Sequence, residues 1–90
     1  MEIAAQLEMV LTLLERFGTE IRHVRLGGEG GGLCVVKGCR IVFVDLDADP
    51  ATRLERCVRA LAESSDLDDQ FLPPAVRELI QRFSPSDGDE

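Results

Sequence analysis

The sequence predicts an α+β domain in which helices pack against a three-stranded antiparallel meander, in the order α-β-β-β-α-α. Three observations carry this. Apolar residues recur at helical spacing up to Phe17 and again after Pro50; three short runs with strand character lie between them; and Lys37-Gly38 joins the last two runs. Strands bracketed by helix-period segments are commonly built as one antiparallel sheet with helices against it.

The first helix is expected from Ile3 to Phe17. Ile3, Leu7, Val10, Leu11, Leu14 and Phe17 form one stripe, with Glu2, Gln6, Glu8, Thr12 and Arg16 off it. Met9 and Leu13 widen the stripe beyond what one neighbour needs. Gly18 supplies the stop. Glu20 to Leu26 alternates as a strand, Leu33 to Val36 resumes after a Gly-rich loop, and Arg40 to Leu46 is the third strand. Lys37-Gly38 suits a two-residue hairpin turn, in which glycine takes the positive φ.

Both faces of the central hairpin are apolar. Cys34, Val36, Ile41 and Phe43 line one; Leu33, Val35, Val42 and Val44 line the other. A sheet with one solvated face would alternate apolar with polar, so both faces call for cover. Asp49-Pro50 then opens a helix, an acidic N-cap before proline at the first helical position. Leu54, Cys57, Val58 and Leu61 make its stripe, and Glu55, Arg59 and Glu63 stand at i,i+4 spacing on its outside. Ser64 to Asp69 is a polar connector; Phe71-Leu72-Pro73-Pro74 leads into a last helix that buries Val76, Leu79, Ile80 and Phe83. The expected organisation is one domain over residues 1–83 and a disordered acidic tail over 84–90. The element order, without its last helix, resembles that of double-stranded RNA-binding domains, a likeness of topology alone.

Composition narrows the function classes. The net charge is −7, and nucleic acid is usually met by a basic surface. Without Trp or Tyr, and with four Phe, the core must be aliphatic. Three cysteines, no secretory leader and no apolar run of membrane length indicate a reduced, cytoplasmic protein.

Two motifs could carry chemistry. Gly28, Gly30 and Gly31 belong to a glycine cluster of the kind that cradles anions, but the loop joins strand to strand, without a following helix N-terminus. A bulged loop is the simpler account. Asp45, Asp47 and Asp49 project to one side of an extended chain, where repelling carboxylates favour a divalent cation such as Mg²⁺ or Ca²⁺. An apolar strand ending in DxD resembles the first motif of the haloacid-dehalogenase-like phosphotransferases, whose large parallel sheet this chain cannot hold. An EF-hand loop from Asp45 would need Gly where Pro50 stands and Glu where Arg56 stands. The plainer reading has Asp49 capping the helix and Asp45 and Asp47 complementing its positive end.

Cys34, Cys39 and Cys57 are expected as buried free thiols, since their spacings with His23 match no common zinc module. Arg53, Arg56 and Arg59 alternate with acids and read as a solvated helix face.

The expectation is therefore a non-enzymatic protein-interaction module that self-associates, most simply as a homodimer. If the helices pack to one side, Leu33, Val35, Val42 and Val44 face water and form the interface. If the first helix crosses to the second face, it covers those valines within one chain. Two alternatives stay open: a nucleic-acid-binding module with the RNA-binding topology, and a metal- or anion-binding domain built on the aspartates and the glycine loop.

Overall fold

Three helices and three strands follow one another as expected in the computed structural model, which describes residues 2–63 and 72–83. They are α1 (Ile3–Arg16), β1 (Glu20–Val24), β2 (Gly31–Val36), β3 (Cys39–Asp45), α2 (Pro50–Ala62) and α3 (Pro74–Phe83). The connector over 64–71 and the tail over 84–90 lie outside the described residues.

Local chemistry ends the elements where the sequence marks them. After α1, Gly18 takes φ +91°. Its N–H donates to Glu15 O at 3.0 Å, and the Thr19 N–H donates to Leu14 O at 2.9 Å. This Schellman arrangement satisfies carbonyls that the helix end would otherwise orphan. The β2–β3 hairpin turns through Lys37 at φ +52° and Gly38 at φ +80°, as a two-residue turn requires. At α2, the Asp49 carboxylate accepts from Thr52 N–H at 2.8 Å, with proline at the head of the helix.

The sheet is not a meander. Its order is β1-β3-β2; β2 pairs antiparallel with β3, while β1 lies parallel to β3 on the other side. The hairpin expected between β1 and β2 is replaced by an arch, residues 25–30, which steps over the end of β3. Two strand spacings amount to about 10 Å, well within reach of six residues. β3, with Ile41, Val42, Phe43 and Val44 in a row, takes the central place. β1 keeps its charges, Glu20 and Arg22, at a wet edge. The likeness to RNA-binding domains does not extend to this mixed sheet.

Helices α1 and α2 pack side by side on one face of the sheet, and α3 lies against both of them. The core unites Val42 and Val44 with Val10, Leu13, Leu14, Leu54, Cys57, Val58, Leu61, Val76 and Leu79. Ile21 and Leu33 border it. The width of the α1 stripe has its reason here: α1 touches β1, α2 and α3 together. It does not cross to the other face. The other face carries Gly32, Cys34, Val36, Ile41 and Phe43, none of which belongs to the helical core, although Ile41 is buried.

Candidate functional site

The glycine cluster and the first aspartate find one another. Asp45 ends β3 opposite Val24, and the arch closes over its carboxylate, which is fully buried. Oδ1 accepts from Leu26 N–H at 2.8 Å and Asp47 N–H at 2.9 Å; Oδ2 accepts from Gly28 N–H at 2.7 Å and Gly30 N–H at 3.0 Å. Gly27, Gly28, Gly30 and Gly31 all take positive φ, and the arch so bent turns the alternate amides of Leu26, Gly28 and Gly30 inward as an anion nest. A Cβ at Gly30 would lie 2.8 Å from Thr52 and 2.9 Å from Arg56, because α2 seats directly on the arch. Burial pushes the Asp45 carboxyl up, but the four backbone N–H donors outweigh it and hold its pKa at about 2. The nest that could cradle an outside anion holds the chain's own carboxylate.

Asp47 and Asp49 serve other donors. Asp47 accepts from Gly27 N–H at 3.1 Å and pairs with Arg25 at 2.8 Å. Asp49 caps α2, and Thr52, through its hydroxyl and its backbone N–H, holds the carboxyl below the ordinary range. The expected convergence of the three carboxylates is corrected accordingly. Each faces a different set of N–H groups, and among the described residues no group of three His, Cys, Asp or Glu side chains is placed to hold a metal ion. Arg53 follows suit, donating to Ala48 O at 2.9 Å and Leu46 O at 3.0 Å. Arg59 pairs with Glu55 at 3.0 Å on the outside of α2.

The thiols also depart from expectation. Cys57 is buried, and its desolvation raises its pKa to about 11, but Cys34 and Cys39 are exposed. Both lie on the face turned away from the helices, near the hairpin turn, where Val36 is exposed as well, although Ile41 opposite Cys34 is buried. His23 sits on β1 and Cys34 on β2, with β3 between them, so they form no catalytic pair.

The four residues expected to form one apolar patch are separated. Val42 and Val44 are 0% and 1% exposed beneath the helices, and Leu33 is half-buried at their margin. Only Val35, 62% exposed, meets solvent. Exposed apolar side chains occur on β2, where Val35, Val36 and Cys34 stand open, and also at Ile3, Leu26 and Leu46. This strand is a sheet edge, and from Gly30 to Val36 it carries no charged residue. The opposite edge, β1, bears Glu20 and Arg22 in an ion pair at 2.6 Å. Charges of that kind guard an edge against pairing with another chain, and β2 has none. An open groove of about 580 Å³ runs along the start of β2 past Gly31, Gly32 and Leu33, with Arg56 of α2 as its wall. The signal was present in the sequence as the uncharged stretch GGGLCVV, but only strand order makes it an edge.

The chain matches no protein-family model, no curated protein and no solved structure.

Proposed function

We propose that this chain is a non-enzymatic protein-interaction module of the cytoplasm, and that it engages its partner by extending the sheet at β2. One observation carries the reading: the two edges of the same sheet are treated oppositely. β1 is guarded by Glu20, Arg22 and His23, whereas β2 offers an uncharged row of backbone groups with Val35 and Val36 exposed beside it. A strand added there would gain main-chain hydrogen bonds, and side-chain pockets would give it specificity. The arch supports a scaffolding role rather than a chemical one, because its amides and the Asp45 carboxylate are already bound to each other. No helix of the described residues is long and apolar enough to cross a membrane.

Val35→Lys tests the reading, since a lysine on an edge strand opposes pairing without disturbing an exposed site. Proteins captured from the native cell by the wild-type chain should be lost by this variant and kept by Arg22→Ala on the β1 edge. Equal capture by wild type and Val35→Lys would refute the assignment of β2.

A further inference from the structure

We infer that the occupant of the β2 edge is a second copy of this chain, paired antiparallel about a two-fold axis beside Cys34. The inference rests on the edge reading above and names its partner. Hydrogen-bond parity comes first. Leu46 N–H donates to Val24 O at 2.7 Å, so the even-numbered positions at the end of β3 turn toward β1 and the odd ones toward β2. On β2, Gly32, Cys34 and Val36 stand opposite the odd positions Phe43, Ile41 and Cys39. Their backbone groups are spent inward, and those of Leu33 and Val35 point out from the edge.

A two-fold antiparallel pairing must bring outward groups together. Leu33 opposite its own copy would recruit Gly31, whose φ of +84° leaves strand geometry. Val35 opposite its own copy would set Leu33 against the Lys37 turn. Leu33 opposite the second copy's Val35 uses both outward residues twice. In that register Leu33 packs on Val35 at the helical side. On the open face, Val36 lies beside the second copy's Gly32, where an added Cβ meets nothing within 4 Å. Charge agrees. Lys37 follows β2 and Glu29 precedes it, so antiparallel copies bring each lysine toward the end of the strand where the other's glutamate lies. The strand itself brings no charge to the pairing, and the charges nearest its start, Arg56, Arg59 and Glu63 of α2, are of both signs.

The same register places Cys34 opposite the second copy's Cys34 as a non-hydrogen-bonded pair. Such Cα atoms stand about 4.5 Å apart, inside the span of about 4.4–6.8 Å that a disulfide bridges. Cys39 lies beyond the paired segment.

Sedimentation equilibrium in the micromolar range, with oxidative trapping, tests this. Wild type should dimerise, and Val35→Lys should be monomeric with an unchanged far-UV spectrum. Cys39→Ser treated with oxidised glutathione should form a Cys34–Cys34 bridge. The two thiols release two protons, and two electrons reduce glutathione disulfide to two thiols. The bridge should form at least about tenfold faster than any Cys39 cross-link in Cys34→Ser, because association raises the local thiol concentration. A monomeric wild type, a dimer that survives Val35→Lys, or equally fast trapping through Cys39 overturns the inference. A monomer whose Val35→Lys variant still loses captured proteins overturns the second copy and leaves the edge reading standing. A monomer with unaltered capture removes both.

Discussion

Gly31→Ala is the sharpest perturbation of the arch. Gly31 sits where the arch enters β2, at φ +84°, in register with Val44. Left-handed backbone costs a residue with a Cβ about 1–2 kcal/mol. The added methyl would also fall against the Phe43 carbonyl, which is backbone of the central strand and has no rotamer to escape through. Forcing β2 and β3 apart adds about 1–3 kcal/mol by analogy with overpacked cores. The expected loss is therefore about 2–5 kcal/mol, against a total of roughly 5–13 kcal/mol for a domain of this length. Gly18→Ala is the control, because Gly18 has φ +91° with nothing within 4 Å of an added Cβ. It should lose only the backbone contribution. Urea unfolding followed by far-UV circular dichroism, at one low protein concentration, gives both midpoints. Equal midpoints for Gly31→Ala and Gly18→Ala would show that the Phe43 carbonyl is not held against the arch, and the account of Asp45 closure would fall with it.

Four further outcomes follow from the same geometry. The Asp45 pKa is depressed from 3.8 to about 2 in the folded chain, so its contribution is complete above the unfolded value and drains away as pH falls between the two; Asp45→Asn should be less stable at neutral pH and lack that acid component in a stability–pH profile. Asp49→Ala removes the acceptor for Thr52 N–H and should lower Tm by roughly 4–8 °C in a calorimetric scan; an unchanged Tm would deny the cap. Thiol titration of the native protein should find Cys34 and Cys39 quickly, and Cys57 only after unfolding, whereas one rate for all three would contradict the burial pattern. Val42→Glu sets an unpaired carboxylate in the core, costs at least about 4 kcal/mol and should unfold the domain, while Val35→Glu should leave its spectrum intact.

Much of this was legible in the chain because the signals are local. The stripe of Leu54, Cys57, Val58 and Leu61 buries as its spacing requires. Asp49 before Pro50 caps α2, Gly18 ends α1, and Lys37-Gly38 turns the hairpin, each through contacts within a few residues. The order of the strands was decided elsewhere. Neighbours in sequence usually pair, yet β3 inserts between β1 and β2. That choice settles three matters that periodicity leaves open. It puts the end of β3 under the glycines, so that Asp45 is fully buried against four amides rather than poised for a cation. It buries Val42 and Val44 beneath α1 and α2 and leaves Cys34 and Val36 open, though both faces of the hairpin are equally apolar in sequence. And it makes β2 an edge. Residue spacing reports which side chains share a face, but which face is covered, and which strand lies outermost, depends on contacts between segments tens of residues apart.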